Sequence, residues 1–262
     1  MSRSEHEVKV VGDIDVSGFP VPVKRLNIIV GSFGSGKTEI SVNWTAALAR
    51  FGHRVKLADL DMANPYFRSR EAQQFLREQG VVPVVPHGEV QFSDLPVLVP
   101  QIKGMLQRAD DDFSFFDVGG DETGAKVLAS LRSAIGDAPY MLYQVINERR
   151  PFTGTVAGCL EMKSRIETVA GLTVGAYINN THLMEYTDES IVRAGMALCE
   201  QLVHQSKVPV AFTTVMEGVT DTTKLKNASD YPICVLNRRM LPPWLNHDAQ
   251  NSWPIAAADR RG

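Results

Sequence analysis

The sequence predicts an α/β fold: a mostly parallel, twisted sheet with helices on both faces, in three layers. Three observations carry it. Short apolar runs alternate with amphipathic stretches from about residue 26 to 236, the rhythm of βα units. A glycine-rich loop joins the first core run to the first amphipathic stretch. Two later apolar runs end in aspartate, at the strand edge where open sheets hold ligands.

Residues 1–25 read as an N-terminal arm or edge hairpin. Val8, Val10, Ile14 and Val16 alternate loosely with polar residues, and Pro20 and Pro22 break the run. Leu26-Asn27-Ile28-Ile29-Val30 opens the core as a strand. Ile40, Trp44, Ala47, Leu48 and Phe51 recur at helical spacing, which predicts a helix over 36–51 that Gly52 stops. A strand over 54–59, a helix over 67–78 and a β-branched strand over 81–85 follow. Residues 86–96 form a proline-bounded loop, and 97–106 a helix. The pattern continues with strand 113–117, helix 122–135, strand 140–146, helix 152–169 and strand 172–179. Thr187 is placed to cap a helix whose Ile191, Gly195, Leu198 and Leu202 share one face. Strands over 208–213 and 231–236 end the series, and residues 241–262 form an irregular, proline-broken tail. Without repeats or low-complexity linkers, residues 26–240 read as one domain.

Composition narrows the function classes. Of 262 residues, 44% are hydrophobic and 22% charged, which fits a globular chain. The formal net charge of −3 and the lack of a Lys/Arg run argue against binding to DNA. No apolar run reaches the ~18 residues of a membrane span, no secretory leader is visible and no amphipathic membrane anchor is seen, so the expected location is the cytoplasm. Cys159, Cys199 and Cys234 make no CxxC pair, which argues against disulfides and iron–sulfur ligation. Six scattered histidines offer no metal-ligand spacing.

Gly31-Ser32-Phe33-Gly34-Ser35-Gly36-Lys37-Thr38 matches G-x-x-x-x-G-K-[ST] at every fixed position, between a strand and a helix. Glycines let successive N–H groups converge on one phosphate, and the helix that starts there adds its own unpaired N–H groups and dipole. Lys37 then reaches β- and γ-phosphate oxygens, and the Thr38 hydroxyl offers Mg2+ a hard oxygen ligand. Such a loop needs a carboxylate on a neighbouring strand end. Asp117 follows the run Phe113-Ser114-Phe115-Phe116, and the next glycines put the Gly120 N–H within reach of a γ-phosphate. Asp59 and Asp61 end the second core strand, two residues apart and so on one face.

Together these residues resemble the MinD/ParA/CobQ-type P-loop ATPases of the SIMIBI class, which also holds the urease- and hydrogenase-maturation GTPases. The matching pieces are the glycine loop, Asp59-Leu60-Asp61, Asp117-Val118-Gly119-Gly120 and Tyr177-Ile178-Asn179-Asn180, over about residues 26–180. The resemblance implies that Lys37, Asp61 and Asp117 carry catalysis, and that Thr38, Asp59 and Asp117 form the Mg2+ shell. It implies that the loop residues, Gly120, Asn179 and Asn180 hold the nucleotide, with Asn179 reading the base and residues 215–218 covering it. Two departures shape the expectation. Ser32 stands where MinD-like members carry a second, signature lysine. Asn180-Thr181-His182-Leu183 lacks the lysine and aspartate with which the GTPase branch reads guanine, which favours ATP over GTP.

The expected function is a Mg2+-dependent, slowly hydrolysing ATPase that switches its association with a copy of itself or with a protein client. The alternatives are a GTPase metallochaperone, an ATP-dependent kinase or synthetase, and a module that binds nucleotide without turnover. Arg68, Arg70, Arg149 and Arg150 follow strand ends on the ligand edge, where an arginine can supply the charge that Ser32 does not, although a solvated basic surface is the favoured account of them.

Overall fold

A computed structural model of the chain describes residues 11–14, 18–61, 70–84, 102, 104–105, 112–120, 122–219, 221–226 and 229–239. Residues 86–96, the tail after 240 and most of 97–106 lie outside these; Ile102, Gly104 and Met105 of that last stretch are helical.

Two short strands, β1 (Val11–Ile14) and β2 (Pro20–Pro22), pair antiparallel as a small sheet of their own. The main body then alternates strand and helix. In chain order it runs β3 (Leu26–Gly31), α1 (Lys37–Arg50), β4 (Val55–Leu60), α2 (Arg70–Glu78) and β5 (Val81–Val84). There follow β6 (Phe113–Gly119), α3 (Glu122–Ile135), β7 (Tyr140–Ile146), α4 (Val156–Ala170), β8 (Ala176–Asn179) and α5 (Glu189–Ser206). The series ends with β9 (Val210–Met216), the single-turn α6 (Thr222–Lys226) and β10 (Ile233–Leu236). The eight strands of the body form one sheet in the order β10-β9-β8-β7-β3-β6-β4-β5, parallel at every pairing. The expected α/β fold is thus present.

Alternation along each strand divides the core in two. Leu26, Ile28 and Val30 face α3 and α4 together with Phe116, Val118, Leu142 and Tyr177. Ile29 faces α1 and α2 with Leu57, Phe115, Tyr143, Ile178 and Phe212. Trp44 centres the second layer: its fully buried ring meets Phe115, Tyr143 and Phe212 edge-on at 4.8–5.2 Å, and its indole N–H donates to the Pro20 carbonyl at 2.8 Å. The helix that follows the glycine loop is therefore anchored to the sheet and to β2 at once.

Of the boundaries that differ from expectation, three have a local cause. α4 starts at Val156, because Thr155 accepts the Gly158 amide as an N-cap and residues 151–155 turn. β8 is only Ala176–Asn179; Leu172 and Val174 are buried ahead of it in irregular chain. α5 is capped by Asp188, not Thr187, whose hydroxyl is engaged with the Met184 carbonyl at 2.6 Å. No helix among the described residues is long and apolar enough to cross a membrane.

Candidate functional site

The glycine loop leaves β3, the strand flanked by β6 and β7, so it sits at the middle of the sheet's C-terminal edge. Gly36 ends it at φ 83°, and the Asn180 amide occupies the space a Cβ would need there. Four carbonyls of this segment are engaged. Ser32 O accepts Ser35 N at 3.0 Å, Gly34 O accepts Arg150 Nε at 2.9 Å, Ser35 O accepts Asn180 Nδ2 at 2.7 Å and Gly36 O accepts Ile40 N at 3.0 Å. Two successive carbonyls, of Gly34 and Ser35, are thus drawn to donors of flanking loops, an arrangement compatible with N–H groups turned toward an anion. Ser32 and Ser35 are buried, whereas Phe33 stands 82% exposed at the loop tip.

On one flank the sheet register brings carboxylates together. Asp59 of β4 pairs directly with Asp117 of β6, and Asp61 continues on the same side. Lys37, at the start of α1, reaches across to Asp61 with Nζ–Oδ2 of 2.7 Å, both side chains being nearly buried. Asp59 Oδ1 accepts the Asp61 amide at 2.9 Å and so fixes the strand end. Burial works against the Lys37 charge, but Asp117, Asp61 and Asp59 outweigh it and its pKa moves up. Asp117 is fully buried, and neither carboxylate oxygen completes a hydrogen bond. Burial pushes its pKa up to about 6, with Asp61 adding to the rise and Lys37 and the facing Thr38 hydroxyl opposing it.

That shift has a sign. Asp117 holds a proton in the folded chain up to about pH 6, but in the unfolded chain only to about its ordinary 3.8. Its favourable contribution to stability is complete below the unfolded value and is lost as pH rises through the folded one. At pH 7.5 the buried charge opposes folding, so Asp117→Asn is expected to be more stable than the parent by about 2 kcal/mol. At pH 4 the advantage should vanish; urea unfolding at the two pH values measures both.

The orphaned Asp117 oxygens and the Thr38 hydroxyl fit a hard divalent cation that takes few protein ligands and completes its shell with phosphate and water. No group of three or more His, Cys, Asp or Glu among the described residues would hold a metal without such help.

The other flank carries the residues of the expected base site. Asn179 is fully buried and turned into the sheet. Its Nδ2 donates to Thr213 Oγ1 at 3.2 Å, and its Oδ1 accepts the Thr181 hydroxyl at 2.8 Å and the Thr181 amide at 3.2 Å. Its carbonyl oxygen is thus committed to Thr181, and one of its two amide N–H donors to Thr213. Asn180 lies on the ligand edge, but its amide bridges Ser35 O and the Thr214 hydroxyl, so it braces the phosphate loop. β9 runs on to Met216, so the covering loop expected over 215–218 begins only after it.

Of the groups that gather beside Asn180, the sequence placed Arg150 on this edge but gave no sign of Arg238. Arg150 comes from the loop after β7, His182 from the loop after β8, and Arg238 from the chain after β10. His182 is largely buried near Gly36; burial, then Arg150 and Arg238, lower its pKa to about 4 and keep it neutral. The Met184 amide donates to its Nδ1 at 3.3 Å, which assigns the proton to Nε2. Asn147 ties these loops: its Oδ1 accepts His182 N at 3.3 Å and Arg149 N at 3.0 Å. Arg149 pairs with Glu148 at 2.9 Å. Arg68 and the Arg70 side chain lie outside the described residues.

No protein-family model matches the chain, and no curated protein matches it. Solved structures do. Chloroplast FtsY from Physcomitrella patens shares 18% identity at a TM-score of 0.53, over 81% of this chain and 65% of that one. The cell division protein FtsY from Thermotoga maritima shares 20% at 0.53, over 78% and 65%. The signal recognition particle receptor FtsY from Elizabethkingia anophelis, in complex with GDP, shares 18% at 0.52, over 73% and 57%. The chain thus spans 57–65% of the length of these structures. At such identities the likeness is one of fold: the parallel α/β sheet of the P-loop proteins.

Proposed function

We propose that the chain binds a nucleoside triphosphate with Mg2+ at the Gly31–Gly36 loop and hydrolyses it slowly as a conformational switch. The observation that carries this is the loop itself. Its Gly34 and Ser35 carbonyls are held by Arg150 and Asn180, Lys37 stands at its end, and the carboxylate of Asp117, which completes no hydrogen bond, lies beside it. Thr38 and Asp117 hold the cation, with Asp59 stiffening the strand end. When bound, Mg2+ offsets phosphate charge as the terminal phosphoryl group transfers to water. Lys37 turns from Asp61 to the β- and γ-phosphates, and Asp61 is then placed to orient the attacking water. Gly120 packs on the loop backbone and brings its N–H toward the terminal phosphate.

The base is read as adenine. Leu183 stands where a carboxylate would pair a guanine edge, and Thr181 is buried. The fold shared with FtsY, one example of which holds GDP, supports the wider SIMIBI class and favours GTP as the second reading. Titration with fluorescent ATP and GTP analogues, with and without Mg2+, separates them. The expected result is Mg2+-dependent binding with ATP preferred, and slow phosphate release without any metabolite. Equal or tighter GTP binding transfers the assignment to GTP; binding of neither overturns it.

The switch is read out by a protein surface. Phe33, Phe152 (69% exposed), Leu183, Met184 and Tyr186 (76% exposed) crown the loops after β3, β7 and β8, three adjacent strands. Exposed aromatics clustered beside a ligand site fit association with a second copy or a client.

A further inference from the structure

The geometry points to Arg150 as a positioning residue: a latch, supplied by the neighbouring loop, that holds the phosphate loop in its anion-binding shape. The inference rests on the nucleotide reading above for its effect on affinity, but the latch itself is drawn in the structure. Arg150 Nε donates to Gly34 O at 2.9 Å. Its guanidinium also lies flat on Gly34, with Cζ and Nε each 3.0 Å, and Nη2 3.2 Å, from where a Cβ would sit. Gly34 is held at φ 71°, a left-handed conformation that L side chains seldom adopt. Both backbone angle and guanidinium therefore demand glycine at the loop tip.

The next carbonyl, Ser35 O, is held by Asn180, so two successive peptides are gripped by donors from the two neighbouring loops. Without the grip at 34, that peptide is free to rotate and turn its oxygen toward an incoming phosphate. A planar guanidinium suits the task better than an ammonium, because it combines an N–H donor with a flat face against a Cα. Arg150 is itself pre-set. Its amide donates to Asn147 O at 3.0 Å, and its carbonyl accepts Thr153 N at 3.1 Å, in a tight turn at the end of β7. His182, neutral and close by, adds no repulsive charge to the arginine, and Arg238 comes from a third segment. The sequence carries an adjacent pair, Arg149-Arg150, but only the second reaches the loop; the first pairs with Glu148.

The test compares Arg150→Ala, Arg150→Lys and the control Arg149→Ala in two measurements. In hydrogen exchange without nucleotide, Arg150→Ala should speed exchange of the 32–36 amides, with helices and sheet unchanged. In titration with a fluorescent nucleotide analogue and Mg2+, it should weaken binding about tenfold to a hundredfold, the weight of one charge-assisted bond. Millimolar guanidinium should restore part of that loss in Arg150→Ala and nothing in the parent. Arg150→Lys should recover affinity only in part, and Arg149→Ala should match the parent. Loop exchange unchanged in Arg150→Ala overturns the latch, whether or not nucleotide binds. Parent protein that binds no nucleotide while the exchange difference persists overturns the nucleotide reading and leaves the latch standing.

Discussion

Lys37→Ala is expected to destabilise the protein by about 3 kcal/mol at pH 8 and to abolish nucleotide binding in the same step. The ammonium lies 2.7 Å from Asp61 and offsets the burial of Asp117, so its removal strips a nearly buried acidic flank of its nearest cation. Removing one partner of a buried pair costs more than the pair contributes, because the remaining charge keeps its desolvation penalty. Asp117, already raised, then takes up its proton at a still higher pH in the folded chain, because the opposing Lys37 charge is gone. The variant should therefore gain stability as pH falls from 8 toward 5, and the gap to the parent should narrow. Urea unfolding across that range reads the gap, and nucleotide titration reads the second effect. A gap that widens as pH falls, or nucleotide bound as tightly as by the parent, would sink the assignment of Lys37.

Gly120→Ala carries the other large effect. A Cβ at 120 would overlap the Gly31 carbonyl and come within 2.7 Å of the Ser32 amide, both of them backbone atoms of the phosphate loop. Backbone cannot swing aside as a long side chain does, so β6 and β3 must part at their C-terminal ends. The expected cost is about 3 kcal/mol, the upper end of overpacking, seen as a lower urea midpoint. Nucleotide affinity should fall with it, because the loop shape is disturbed. A variant with the parent's midpoint would show that the approach of 120 to the loop is looser than described.

Most of this fold was legible because strand and helix periodicities differ sharply. The misplaced boundaries share a cause: local signals compete, and packing chooses. Phe152 extends the apolar spacing of α4 upstream, yet Thr155 can cap only a helix that starts after it. Thr187 and Asp188 are both good caps; the one left over after the turn at Met184–Tyr186 is Asp188.

The site divides the same way. Gly31, Lys37, Thr38, Asp59, Asp61 and Asp117 lie at positions set by local chain, on strand ends and a helix start, so spacing alone brings them to one edge of the sheet. Asn179 and Asn180 differ by one residue, which in a strand means opposite faces. Sequence cannot tell which face carries the ligand edge until register is known. Between Arg149 and Arg150 the choice is likewise geometric, made by the turn after Asn147. Phe33 and Tyr186 mark the opposite limit: an aromatic residue looks the same in sequence whether it fills a core or stands in solvent.

Asp59, Asp61 and Asp117 come from strands on one side of β3, and Arg150 and Arg238 from segments on the other. The cleft is thus polarised from left to right, with the phosphate loop as its midline. A metal-bound polyphosphate is polarised too, its cation toward one end and its remaining negative charge along the chain. The two patterns match in only one direction. In such a field a metal-bound polyphosphate would meet the edge of this sheet more favourably in one orientation than in the reverse.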